Sequence, residues 1–345
     1  MLTVRILKNW NWPDILRQTP GGKGVWDGIL YETKENPNVD YILALSPTSS
    51  KIYLKTYKEN IWLFIQEPPN EFFKIWHKAP SIYQRVFTTD PTIKGARYET
   101  SQPAIPWFIN KTYDELKNEK IPEKKFELSC ITSLKRDFIG HRSRLNFIND
   151  LKQDIKFDLI ATYDYYLREN KQRDIKEIKS KLLNKGFTKV VKNKWEALAP
   201  YKYSLIVENY SGPNYWSEKL ADSFLAWTMP IYYGCTNIES YFPIHSLVKI
   251  DINDSLAPQK IKDITQSDIW KKYRKYVEEA RSRILDKYQF FPHITNYIKD
   301  WEKRWEGKRG KKRLVMIPKG ISLSSQVKVS ILSRIERVKT RIKRI

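Results

Sequence analysis

The stretch Tyr201-Lys-Tyr-Ser-Leu-Ile-Val207-Glu208-Asn209-Tyr-Ser-Gly212-Pro213-Asn214-Tyr215-Trp-Ser217-Glu218-Lys219-Leu-Ala-Asp-Ser-Phe224-Leu-Ala-Trp227-Thr-Met229-Pro230-Ile-Tyr-Tyr-Gly234 decides how this chain reads. An apolar run ends at Glu208-Asn209, as a buried strand does at the carboxyl edge of a parallel sheet. Gly212-Pro213-Asn214 supplies a turn, and Ser217 opens a helix whose Leu220, Ala221, Phe224 and Leu225 share one face at helical spacing. A second strand starts at Met229. This strand–loop–helix unit aims a helix N-terminus at the strand ends, where free N–H groups and the positive end of the helix dipole attract phosphate. Lys219 adds a full positive charge, and Glu218 is placed to accept hydrogen bonds from ribose hydroxyls.

Outward from this segment the same alternation continues. Leu2–Leu7, Tyr41–Leu45, Ile61–Ile65, Tyr83–Thr88, Phe126–Thr132, Phe157–Ala161 and Leu247–Ile250 carry strand patterns. His141–Gln153, Ile175–Asn184, Asp268–Tyr288 and His293–Trp305 carry helical ones. Strands alternating with helices make an α/β protein on parallel sheets. A Lys-, Glu- and Asn-rich linker over Asn110–Lys125 splits the 345 residues into two Rossmann-like domains facing across a cleft, 1–115 on the acceptor side and 116–290 binding the donor. A helix over 291–307 is expected to pack back across that cleft, and 308–345 forms a basic tail.

Charge is concentrated in that tail. From Lys308 onward 13 basic residues face one acid, so about half of the net +23 lies in the last 38 residues. Val327, Ile331, Ile335, Val338, Ile342 and Ile345 form an apolar stripe opposite a Lys/Arg face, the pattern of an amphipathic helix on an anionic bilayer. Residues 321–345 are therefore expected to hold the protein on a membrane surface; a coiled-coil seam or docking on the body reads the same stripe differently. The start of the chain has no signal-peptide pattern and no run is long enough to span a bilayer. Cys130 and Cys235 read as free thiols of a reducing compartment. Together these give a cytoplasmic protein, peripheral on the inner face of a membrane.

The decisive stretch resembles glycosyltransferase family 10, the α1,3/4-fucosyltransferases. Glu208-Asn209, Tyr215, Ser217-Glu218-Lys219 and Pro230-Ile-Tyr-Tyr-Gly234 match its signature with the spacing kept. The resemblance is strong over Tyr201–Pro243, weaker over Phe126–Leu151 and faint over the first 110 residues. It implies the GT-B arrangement, with Asn209, Tyr215, Glu218 and Lys219 (and less firmly Glu208) holding ribose and diphosphate. His141-Arg142-Ser-Arg144-Leu-Asn-Phe147 is similar to the family segment whose Arg neutralises the leaving diphosphate. Arg144, three residues before Phe147, fits that role better than Arg142. The planar fork of Arg grips phosphate oxygens at two points. Three residues depart from the pattern: Val207 for Phe, Ser217 for Thr, and Trp227 where many members have Gly. The last of these is expected to reshape the pocket.

The family's strand–Glu–Pro turn, which presents its catalytic Glu, is similar to Trp62-Leu-Phe-Ile-Gln-Glu67-Pro68-Pro69. The resemblance implies an inverting transfer of fucose from GDP-fucose to a glycan hydroxyl of the α1,3 type, with Glu67 as general base. Acceptors would be GlcNAc- or glucose-containing oligosaccharides or glycolipids, as in lipopolysaccharide or protein glycosylation. No Asp-x-Asp pair occurs and the four histidines make no zinc spacing, so no metal cofactor is expected to be bound. Alternatives are a transferase using another nucleotide sugar, a non-catalytic carbohydrate binder, and a basic nucleic-acid-binding protein. The last is disfavoured because the charge sits in the tail and no nucleic-acid motif is present, so nucleic acid is not an expected partner.

Overall fold

Two parallel sheets carry the chain, each built from apolar runs buried on both faces. The N-terminal unit uses β1 (Leu2–Leu7), β2 (Val25–Trp26), β3 (Ile29–Glu32), β4 (Tyr41–Ala44), β5 (Ile52–Thr56), β6 (Ile61–Phe64), β7 (Arg85–Thr88) and β8 (Tyr98–Thr100). Its main sheet runs β2-β3-β1-β4-β6-β7-β8, parallel except for the β2–β3 hairpin. The parallel strands thus begin in the flavodoxin-like order, with the switch point between β1 and β4. Along β4 the pleat sends Tyr41 and Leu43 into one core and Ile42 and Ala44 into the other; along β6 it does the same with Trp62 and Phe64 against Ile61 and Leu63. Asp27 and Gly28, both at positive φ, form the two-residue hairpin turn, a signal passed over in the sequence.

The central unit holds β9 (Phe126–Ile131), β10 (Asp158–Thr162), β11 (Lys189–Val191), β12 (Tyr201–Val207), β13 (Met229–Tyr233) and β14 (Val248–Lys249). The order β11-β10-β9-β12-β13-β14, parallel throughout, is the Rossmann order with its switch point between β9 and β12. Its helices are α1 (Tyr113–Asn118), α2 (Ile139–Asp154), α3 (Ile175–Asn184), α4 (Lys194–Leu198), α5 (Glu218–Leu225), α6 (Ala257–Thr265) and α7 (Ile269–Arg283). One core runs through it from Ile105 to Tyr288.

This is a computed structural model, and it describes residues 1–8, 10, 14–34, 36–45, 48, 50–70, 79–164, 167, 174–304 and 310–318. The expected amphipathic helix over 321–345 lies outside them. The division between units differs from the expected 115/116. One unit takes the described residues of Met1–Ala104, Pro213–Tyr215 and Phe290–Ile345, and the other takes Ile105–Gly212 and Trp216–Gln289. The reason is that Ile105, Trp107, Ile109 and Leu116 are buried in the central core, so the supposed linker over Asn110–Lys125 starts as structure. Thr112 and Glu115 cap α1 reciprocally.

The helix expected over 291–307 is α8 (Phe290–Glu302), and Phe290, Phe291, Ile294 and Ile298 complete the core of the N-terminal unit. The stretch expected to open a basic tail differs too. Arg313–Ile317 is a strand, β15, paired antiparallel with β5, and Lys312 reaches Asp40 at 2.8 Å. Among the described residues no helix is long and apolar enough to cross a membrane.

Candidate functional site

The site is built where β9 and β12 diverge. After β12 the chain leaves the sheet at Glu208, whose carboxylate is fully enclosed. Its Oε1 accepts the Ser217 backbone N–H at 3.0 Å and the Ser217 hydroxyl at 2.8 Å, and Oε2 receives the Lys219 ammonium at 3.2 Å. Ser217 is the N-cap of α5, its Oγ accepting the Lys219 N–H at 3.3 Å. A buried carboxylate with these partners is costly to break, about 3–5 kcal/mol when one partner is removed. It therefore fixes the start of α5 and the root of Lys219.

Gly234 explains its own place in the pattern. A Cβ there would stand 2.6 Å from Glu208 Cγ and 2.6 Å from the Tyr232 hydroxyl. Gly140 at the start of α2 is equally constrained, since its Cβ would fall 1.8 Å from the Asn209 carbonyl oxygen. The loop after β12 and the first turn of α2 thus touch backbone to backbone. The N-cap Phe138 makes no side-chain cap bond to α2, and a helix start of this kind suits an anionic acceptor.

The cations gather around this junction. Arg144 is buried on α2, with Nη2 3.5 Å from Ser133 Oγ in the loop after β9. Lys219 is partly exposed. Burial works against its charge, but the fields of Glu208 and Glu218 outweigh it and hold the ammonium above its ordinary value, with Arg144 close enough to push the other way. Glu218 lies 3.5 Å from Lys219 Nζ. Burial raises the Glu218 carboxyl, yet Lys219 and Lys194 more than reverse this and keep it ionised. Arg142 donates instead to the carbonyl of Arg136 at 3.1 Å, back along its own loop.

Sequence reading missed Lys194. It opens α4 after β11 and pairs with the fully buried Asp222 of α5 at 2.6 Å, while the other Asp222 oxygen accepts the Phe108 N–H at 2.9 Å. No local signal marks it, because its partners Glu218 and Asp222 stand 24 and 28 residues away.

The structure therefore gathers Arg144, Glu208, Glu218, Lys219 and the backbone of Asn209 in the central unit. It puts Tyr215 in the three-residue stretch grouped with the N-terminal unit, where the neighbouring Asn214, at φ +62°, donates to the Thr89 carbonyl at 3.4 Å. Glu67 belongs to that unit also, half-buried, three residues past the end of β6.

Trp227 does not reshape the site. It stands after the C-terminus of α5, the end opposite Ser217, at φ +60°. The Thr228 N–H reaches the Ser223 carbonyl and the Trp227 N–H reaches that of Phe224, which is the helix-ending motif where glycine is usual. Its ring is held under the Arg281 guanidinium at 4.8 Å. Cys130 and Cys235 are both free and buried. Among the described residues no cluster of His, Cys, Asp and Glu could hold a metal ion.

A Rossmann-order sheet with paired cations and an uncapped helix start at its switch point defines an α/β protein equipped for an anionic ligand. Comparison with known proteins narrows the class. A 60-residue stretch is 40% identical to the α-(1,3)-fucosyltransferase FucT of Helicobacter pylori, covering 17% of this chain and 13% of that protein. The match thus spans about an eighth of the relative's length. With the motif described above, it makes the chain family-10-like in sequence. No protein-family model matches. Among solved structures the chain is similar to an α1,3-fucosyltransferase with GDP-fucose (16% identity, 90% of this chain and 92% of that one, TM-score 0.49). It is similar also to a glycosyltransferase from Rickettsia africae ESF-5 (8% identity, 88% and 98%, TM-score 0.48).

Proposed function

We propose that the protein is a GT-B glycosyltransferase of the inverting type that transfers fucose from GDP-fucose to a glycan hydroxyl in an α1,3 linkage. The observation that carries this reading is the Glu208–Ser217–Lys219 network, which holds one cation at the switch point within the field of a second, Arg144. Lys219, Arg144 and the starts of α2 and α5 stabilise the diphosphate as the bond from anomeric carbon to phosphate oxygen breaks and the oxygen leaves with both electrons. The acceptor hydroxyl oxygen attacks that carbon from the opposite face, and Glu67 takes its proton. Glu218, Asn209 and Tyr215 are donor-binding residues that, with Lys219, hold ribose and diphosphate, and Arg142 and Glu208 act as supports. No divalent cation is required, since protein cations perform the neutralisation. The acceptor is an oligosaccharide or glycolipid, and residues 321–345 bring the enzyme to an anionic membrane surface on its cytoplasmic face.

A thermal-shift panel tests the donor. A ligand that binds the folded state alone adds about 2.7 kcal/mol at one hundred times its Kd. GDP and GDP-fucose should raise Tm, and UDP, CDP and their sugars should not. A shift with UDP-sugars alone would replace the donor, and no shift with any nucleotide would sink the reading.

A further inference from the structure

His141 is a titratable group at this junction to which the proposed chemistry gives no part. It occupies the first turn of α2, beside the uncapped helix start, next to the Gly140 that abuts Asn209. The residue is 8% exposed and its Nδ1 has no hydrogen-bond partner among the described residues. A buried imidazole nitrogen with nothing to bond is a costly arrangement, of about 1–3 kcal/mol, unless a ligand completes it.

The charges that reach His141 come from every side of the junction: Arg144 on its own helix, Asp137 and Lys135 from the loop before it, and Lys219 from α5. The Phe138 ring lies 5.1 Å away and carries no charge. Lys219 is already paired with Glu208 and Glu218, which leaves Arg144 and Lys135 against Asp137 around the ring, an excess of one cation that an anion would balance. Burial first, and then the Arg144 guanidinium, hold the imidazole down at about 4, so it is neutral at ordinary pH in the unliganded protein.

We infer that His141 is a third ligand of the donor's diphosphate, taking a proton from solvent onto a ring nitrogen as the nucleotide enters and donating the resulting N–H to a phosphate oxygen. This rests on the donor reading above and adds to it a proton that binds with the nucleotide. Anionic phosphate offsets the cationic field that, together with burial, kept the ring neutral, so the charged form becomes the stable one. The sign follows from linkage. Donor affinity is highest at acid pH and falls by up to about tenfold per pH unit above about 4, until the imidazolium of the complex itself titrates. The product nucleotide carries a further negative charge, so the same imidazolium holds it more tightly than the donor.

Calorimetric titration with GDP-fucose between about pH 5 and 8, in buffers of different ionisation heat, decides the matter. The diphosphate of this donor is esterified at both ends and does not itself titrate in that window. Uptake approaching one proton per donor bound is expected. His141→Gln should bind more weakly, without uptake and with affinity flat in pH. Binding by the unaltered protein without proton uptake, or uptake that persists in His141→Gln, would overturn the inference while leaving the donor reading in place. No binding at any pH would end both. Should the variant misfold, the four histidines of the unaltered chain can be followed by proton magnetic resonance. One ring should move to its imidazolium position when GDP-fucose is added, and no movement would refute the role.

Discussion

The two α/β units end their strands in different ways. In the central unit the group that leaves the sheet, Glu208, is sealed from water and satisfied by Ser217 and Lys219 before any ligand arrives. In the N-terminal unit the corresponding acid, Glu67, is half-buried on a Pro-Pro turn beyond β6. On the function proposed above, the difference follows from two tasks. A binding cradle gains from preorganisation, because charges already aimed need no rearrangement when diphosphate charge develops. A base must gain and lose a proton in each cycle, which a carboxylate locked between an ammonium and a helix start cannot do.

The contrast can be broken most severely at Glu67. Glu67→Gln should lower the rate of transfer by about 10²–10⁴-fold and leave GDP-fucose affinity unchanged. Steady-state kinetics with calorimetry would check this, and near-normal turnover would leave the N-terminal unit without a base. Gly140→Ala attacks the other side. The added methyl meets a carbonyl oxygen that cannot swing aside, so the loop carrying Asn209 must move. Overpacking of this kind costs about 1–3 kcal/mol. A displacement near 1 Å at the donor should cost about 10²-fold in transfer, with donor affinity falling alongside. Tm and donor Kd measured on one sample separate the two effects. Trp227→Gly sharpens the comparison through its small effect on chemistry. The cavity costs about 3–5 kcal/mol and relief of the left-handed backbone returns about 1–2, so Tm falls while donor affinity stays as it was. A changed affinity would put Trp227 back in the site.

The strand–loop–helix from Tyr201 to Gly234 was legible because its signals are local: an apolar run, a turn, an N-cap serine and helical spacing. The α/β class followed from the same alternation along the chain. What escaped was set by distant partners. The β5–β15 pair joins residues more than 250 positions apart, and Lys194 and Asp222 meet across two helices. The 104/105 division depends on which core receives Trp107, which composition does not encode. Trp227 was misjudged because a substitution for Gly looks like added bulk, whereas its place at a helix end is a matter of backbone angle. His141 stood in plain view within the Arg142/Arg144 segment. Only its burial and empty ring nitrogen set it apart from an ordinary helix-face residue.

The return of α8 and β15 to the first unit has a consequence for biosynthesis. The strands of that unit leave the ribosome early, but Phe290, Phe291, Ile294 and Ile298, which cover one face of its sheet, follow 186 or more residues after Ala104. At 5–20 residues per second that is a delay of roughly ten to forty seconds. During that interval an apolar sheet face waits for its cover, while the central unit, whose last residue is Gln289, is fully synthesised before that cover.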